Sequence, residues 1–367
     1  MFKFLSFLIL TPYFCVSYKF NLNDNIKNRP SMSLQNNNPL GDSLNGLNFF
    51  KNWHCIGIKE NINFDKPYTV NIGDLPLVMW KDTKNDKLMT TINICKHMGS
   101  QLGNGVITNG CLKCQYHGLE YSKKDTFGTT IEHEGKIYWA YEPIHKTPYT
   151  IPFYNDKTFE HSFIEVDMDC SFTDSVYNTM DLRHPEYVHN KIGFGNSIPP
   201  QHIKQYRYKD RVGLSFDYNS NAVVQHVAKG TKTTSNYHMF INPNFGWSRV
   251  TFDKTKHIII GINLLPISPK KTRWYITVCH NWYTSPLLKQ FVKTMAITIL
   301  TQDFIQMCNQ HVEDSLKKEM LFQHQFPDEE VILWIKDMLK DYEYPTIDVC
   351  SRLYKDYKSK NNNLLSS

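Results

Sequence analysis

Cys95-Lys96-His97-Met98-Gly99 and Cys114-Gln115-Tyr116-His117-Gly118 are two Cys-plus-His pairs separated by 16 residues. Thiolates and imidazoles placed this way, with a glycine after each histidine, can close around one metal centre. A structural zinc ion accepts a Cys2His2 set, but through C-x2-4-C followed by H-x3-5-H, where each pair is made of like residues. Here each pair is mixed. Gly99 and Gly118 stand where a side chain would restrict the sharp turn that lets backbone approach a metal group.

The mixed pairing suits a Rieske [2Fe-2S] centre, in which one iron keeps two cysteines and the other takes two histidines. Each loop then supplies one residue to each iron, so Cys95, His97, Cys114 and His117 are the expected ligands. Lys96, Met98, Gln115 and Tyr116 are the nearest residues able to shape the surroundings of the cluster, which matter to its potential as the ligands do. Cys111 lies three residues before Cys114, but a CxxC reading leaves the C-x2-H pair unexplained, so Cys111 is taken as a spare residue. Working outward, Trp53–Ile56, Tyr68–Ile72, Leu77–Trp80, Lys87–Ile92 and Gly135–Trp139 are short strand candidates between polar or glycine-containing turns. They predict an all-β module whose tips carry the two ligand loops.

The chain has 367 residues, more than one domain usually holds. The expected division is 1–46 as a targeting segment and flexible leader, 47–145 as the cluster domain, 146–348 as a catalytic domain and 349–367 as a flexible tail. A hydrophobic content of 41% supplies two cores. The net charge of +6 is scattered, with no basic run alternating with aromatics, so no nucleic-acid partner is expected. Nine cysteines are an odd number and too few for a disulfide scaffold. Residues 1–18 combine one early lysine with an apolar run of signal-peptide length. That predicts an organellar or membrane-associated protein if the segment targets the chain, and a cytoplasmic one otherwise. Membrane association through the N-terminus is the corresponding expectation.

In the second region, Asn178-Thr-Met-Asp181-Leu-Arg-His184-Pro-Glu-Tyr-Val-His189 places two histidines beside carboxylates. A 2-His-1-carboxylate triad holds Fe(II) on one face and leaves open positions. On an unbroken helix His184 and His189 would point roughly 140° apart. Pro185 favours a helix start or kink just after His184, which lets the rings converge. Strand-like runs at Val212–Phe216, Ala222–His226, Tyr237–Phe240, Ser248–Val250, His257–Gly261 and Thr272–Val278 predict an antiparallel sheet lining a pocket. Leu287–Leu300, Gln302–Leu321 and Asp328–Tyr342 read as helices, giving an α+β domain. His226, His238, His257 and His280 either line that pocket or are satisfied core histidines.

With both motifs in hand, the chain resembles the catalytic α subunit of Rieske non-haem iron oxygenases over about residues 50–345. Trp53, Cys95-x-His97, Cys114-x2-His117 and Asn178-x2-Asp181-x2-His184-x4-His189 occur in the family's order. The resemblance implies that the iron carboxylate comes from a late helix, here Asp303 in Ile299-Leu-Thr-Gln-Asp303, with Glu313 and Asp314 as fallbacks. It also implies that Asp181 bridges one subunit's cluster histidine to the neighbouring subunit's iron histidine, in a homotrimer; the alternative is that Asp181 only orients His184. Lys96, Met98 and Gln115 depart from the family's frequent C-P-H-R-G pattern, which bears on potential and donor fit while leaving the ligands in place.

The implied activity is oxidation of a small organic substrate by O2: hydroxylation, dealkylation or desaturation, as a monooxygenase rather than a dioxygenase. Electrons come from NAD(P)H through a reductase or ferredoxin. Two readings from other classes compete, an electron-transfer protein without oxygenase activity and a zinc-stabilised interaction module.

Overall fold

The computed structural model describes residues 45–189, 199–219, 233–252, 255–282, 284–308, 320, 326, 329–340, 342 and 344–364. The expected targeting segment, the strand expected at Ala222–His226 and the fallback carboxylates Glu313 and Asp314 lie outside the described residues. No helix among the described residues is long and apolar enough to cross a membrane.

The first part is built from β1 (His54–Ile58), β2 (Tyr68–Ile72), β3 (Leu75–Asp82), β4 (Lys87–Ile92), β5 (Val106–Thr108), β6 (Cys111–Lys113), β7 (Glu120–Tyr121), β8 (Thr129–His133) and β9 (Lys136–Ala140). They form three antiparallel sheets, β1-β9-β8, β2-β3-β4 and β5-β6-β7. β3 lies between two cores. Successive side chains on a strand point to opposite faces, and Leu77 and Met79 enter the core of Ile56, Ile137 and Trp139. Val78 and Trp80 face the other way, into a small core that contains Cys95, Leu102, Leu112, Cys114 and Tyr121. The near-continuous apolar run in β3 therefore records burial on both faces.

The second part is one seven-stranded antiparallel sheet, made of β10 (Glu160–Met168), β11 (Gln201–Arg207), β12 (Arg211–Asn219), β13 (Thr233–Ile241), β14 (Phe245–Thr251), β15 (His257–Ser268) and β16 (Lys271–His280). Its order is β10-β16-β15-β14-β13-β12-β11. One face sends Leu265 and Tyr275 into the core of the first part. The other sends Ile164, Phe216, Phe240, Leu264, Trp274 and Ile276 against helices Phe172–Met180, Pro286–Cys308 and Glu330–Leu339. The α+β architecture is as the sequence predicts: a β-rich part followed by sheet plus helices.

Two elements differ from expectation. Leu287–Leu300 and the start of Gln302–Leu321 are one helix, Pro286–Cys308, because nothing at Thr301 breaks it. Thr301 bonds back to the Ile297 carbonyl at 2.8 Å within the turn. The tail expected to be flexible from 349 is instead mostly helical, Ile347–Leu364. Its Val349, Cys350 and Leu353 are buried in the core of the first part. Tyr357 Oη donates to the Thr126 carbonyl at 3.1 Å and Tyr141 Oη to Asp356 at 2.7 Å. The Lys- and Asn-rich composition concealed a narrow apolar stripe at helical spacing.

Candidate metal centres

The two Cys/His loops have the same backbone. Cys95 N–H donates to the Ser100 carbonyl and Gly99 N–H to the Cys95 carbonyl, both at 2.8 Å. Cys114 N–H donates to Leu119 at 2.9 Å and Gly118 N–H to Cys114 at 3.0 Å. Gly99 and Gly118 both have φ of +75°, and a Cβ at Gly99 would meet nothing within 4 Å. Glycine is required at Gly99 by the left-handed backbone alone. Cys95 and Cys114 are buried, while His97 and His117 are exposed with ring centroids 4.8 Å apart. Two buried thiols beneath two converging imidazoles fit a Rieske cluster, which Cys95, Cys114, His97 and His117 would hold.

The surroundings add contacts that sequence reasoning missed. Tyr121 Oη accepts the Lys96 N–H at 2.7 Å and interacts with Cys95. Burial opposes ionisation of Cys95, but hydrogen bonds from Tyr121 and from the His97 backbone outweigh it and hold the thiol below its ordinary pKa. Lys96 Nζ pairs with the buried Asp125, whose other oxygen accepts the Ser122 N–H at 2.9 Å. Lys96 thus ties the first loop to the turn after β7. Tyr116 packs its ring 3.9 Å from that of His117, whereas Met98 is exposed.

The second centre is assembled from three elements. Helix Phe172–Met180 starts on Ser171, whose Oγ accepts the Asp174 N–H at 3.1 Å, and stops at Asp181. Asp181 Oδ1 accepts the backbone N–H groups of Arg183 at 2.8 Å and His184 at 3.2 Å. A short helix, His184–Val188, then begins with Pro185 in its first turn, so the histidines sit at its start and just past its end. Their rings come to 5.2 Å. Asp303, on the long helix, places Oδ1 at 3.2 Å from His189 Nε2 and 3.4 Å from His184 Nε2.

The outer ring nitrogens are held. His184 Nδ1 donates to the Asp181 carbonyl at 2.8 Å, and His189 Nδ1 lies 2.9 Å from Gln302 Oε1. This fixes both Nε2 lone pairs toward Asp303. Asp303 Oδ1 is buried and makes no hydrogen bond of good geometry with either ring. Burial opposes the charge on Asp303, yet the two imidazoles hold its carboxyl down at about 2. At His184, burial works toward the neutral ring, and Asp303 with Asp181 reverses it and raises the pKa. One ligand atom from each of His184, His189 and Asp303 lies within 4.8 Å of the others. A converging anionic oxygen and two imine nitrogens fit a divalent iron.

Of the other histidines, His257 meets Thr251 Oγ1 at 3.2 Å and His280 Nδ1 donates to the Trp282 carbonyl at 2.7 Å. His226 lies outside the described residues. His238 is on the helix-facing side of β13, where burial pushes its pKa down to about 4.

Residues 52–137 match the model of the Rieske [2Fe-2S] domain. The fold also matches a solved structure of dicamba monooxygenase bound to 3,6-dichlorosalicylic acid, with a TM-score of 0.68 over 80% of this chain and 97% of that one, at 16% identity. The chain is thus similar to Rieske-type oxygenases, in its Rieske domain and in its fold.

Among curated relatives, the oxygenase component of 3-ketosteroid-9-alpha-monooxygenase from Rhodococcus rhodochrous is 24% identical over 165 residues, 38% of this chain and 42% of that protein. The oxygenase component of dicamba O-demethylase from Stenotrophomonas maltophilia is 26% identical over 166 residues, 39% of this chain and 48% of that protein. The chain thus spans about half the length of the curated relatives it matches. The NdmA structure from Pseudomonas putida CBB5 with caffeine shares the fold at a TM-score of 0.65 and 14% identity, over 80% of this chain and 91% of that one. The Rieske domain and the 2-His-1-Asp motif of the oxygenase architecture are both present.

Proposed function

We propose that this chain is a Rieske-type monooxygenase. It would take electrons from NAD(P)H through a reductase or ferredoxin and use O2 to oxidise a C–H bond of a small organic substrate. The observation that carries the reading is the convergence of His184, His189 and Asp303 on one point, in a chain whose β-rich part bears the paired Cys/His loops. When bound, a [2Fe-2S] cluster supplies single electrons and a mononuclear Fe(II) supplies O2 activation.

The chain's own residues bind and orient. The buried Cys95 and Cys114 and the exposed His97 and His117 would hold the cluster. Asp181 and Gln302 fix the tautomers of His184 and His189, and Asp303 supplies the compensating charge. Asp181 is pinned by backbone N–H groups of its own chain, which supports its orienting role, and its side chain is 37% exposed. That exposure leaves one edge of Asp181 available for the inter-subunit bridge, in a homotrimer. The proteins it resembles bear names for ketosteroid, dicamba and, in rice, pheophorbide a. Those names support a largely apolar substrate.

Metal analysis of anaerobically purified protein tests the reading. About three irons per chain, with a Rieske EPR signal, are expected. About two irons would leave an electron carrier, and one zinc without the signal an interaction module. Asp303→Ala should lose the mononuclear iron and keep the cluster; retention of all iron overturns the ligand assignment. Product screening with a competent reductase and 3-ketosteroid, dicamba, caffeine and pheophorbide a then tests the activity.

A further inference from the structure

The sheet face that packs on the helices is apolar except at a few positions, and two of these, His238 and His280, keep a ring nitrogen without a partner among the described residues. His238 lies in β13 between Leu214 of β12 and Ser248 of β14. Its ring packs edge-on against Phe216 at 5.0 Å, and Phe216 and Phe240 belong to the core between sheet and helices. The ring also faces the backbone carbonyl of Thr179, two residues before Asp181, and is close enough to His184 for the charges of the two imidazoles to oppose each other. His238 Nδ1 is buried and has no hydrogen-bond partner among the described residues.

A buried imidazole nitrogen without a partner costs stability that a phenylalanine at the same place would not. Of the other orphaned atoms on this sheet, His280 Nε2 is on the same face but on β16, three strands away from β13. Asn263 Nδ2 and Tyr275 Oη, for example, lie on the opposite face, beside Tyr138 and Leu265. His238 combines a nearby iron triad, an apolar surround and an open hydrogen-bonding valence.

We infer that His238 determines substrate specificity: with the ring proton on Nε2 toward the Thr179 carbonyl, Nδ1 accepts a hydrogen bond from a hydroxyl of the molecule oxidised at His184, His189 and Asp303. The inference rests on the oxygenase reading. It selects, among apolar molecules, those that carry a hydroxyl near the carbon to be oxidised. A site built around such a bond rejects analogues that lack the hydroxyl, because the nitrogen is then left unpaired.

The test reads binding rather than turnover. Full-length protein loaded with iron is treated anaerobically with nitric oxide, and the EPR signal of the mononuclear ferrous nitrosyl is titrated with toluene, benzyl alcohol and benzaldehyde. Wild type should bind benzyl alcohol, which can donate to Nδ1, about tenfold more tightly than toluene or benzaldehyde, which cannot. His238→Phe should bind all three alike at the affinity for toluene, and His238→Asn should recover part of the preference. A nitrosyl signal that none of the probes perturbs, a wild type without preference, or a preference that survives in His238→Phe overturns the inference alone. Absence of any mononuclear nitrosyl signal overturns the oxygenase reading and the inference with it.

Discussion

His189 Nδ1 and Gln302 Oε1 lie 2.9 Å apart, so the residue that fixes one metal-facing imidazole is the sequence neighbour of the carboxylate Asp303. One turn of the long helix therefore carries both a ligand and the partner that aims another ligand. Gln302→Leu should weaken mononuclear iron binding by about 10–100-fold and leave the cluster loaded. Chelator competition followed by metal analysis measures this. Gln302→Glu, which keeps an acceptor at the same reach, should restore most of the affinity.

Tyr121 gives the cluster loops a second anchor. Hydrogen bonds to a cysteine ligand favour the reduced, more negative state of an iron-sulfur centre. Tyr121→Phe should therefore lower the midpoint potential, by about 50 mV for one bond of ordinary strength. Protein-film voltammetry reads the shift, and an unchanged potential would show that the hydroxyl serves only the Lys96 N–H.

Glu134 predicts a pH dependence of stability. Its side chain is 4% exposed, and burial pushes its carboxyl up to about 7, against the pull of the Ile151 N–H and Lys136. The folded chain then holds this proton more tightly than the unfolded chain does. The Glu134 contribution is full below about pH 4.5, falls as pH rises toward 7 and is flat above, a loss on the order of 1–3 kcal/mol. The difference between wild type and Glu134→Gln in chemical denaturation, taken from pH 5 to 8, isolates this slope. Parallel curves would show that Glu134 ionises normally.

The C-terminal helix is part of the first core. Leu353 is fully buried there, and Leu353→Ala should cost about 2–5 kcal/mol. Lys355→Ala, on the exposed side of the same helix, should change stability by less than about 0.5 kcal/mol. Equal effects of the two in urea denaturation would show that the helix is dispensable.

The metal chemistry was legible because few residue types ligate iron and their spacing within a loop is short. Cys95, His97, Cys114, His117, His184 and His189 could be read from the residues alone. Asp303 could not, since 113 residues separate it from His189, and only the family resemblance reached it. Gln302, Tyr121 and His238 matter through contacts made by packing distant elements together, which no local pattern encodes. Helix Phe172–Met180 did leave a signal, Ser171-Phe-Thr-Asp174, in which the first residue caps the helix. β10 was hidden because its alternate faces meet different cores, which blurs the period-two pattern.

The two-sided burial of β3 couples parts of the molecule that perform no common chemistry. Leu77 and Met79 belong to the core that also receives Val349 and Leu353, and their neighbours Val78 and Trp80 press on Cys95 and Cys114. A loosened C-terminal helix would therefore register as a broadened cluster spectrum before any iron is lost, making the cluster an internal reporter on how firmly the end of the chain is docked.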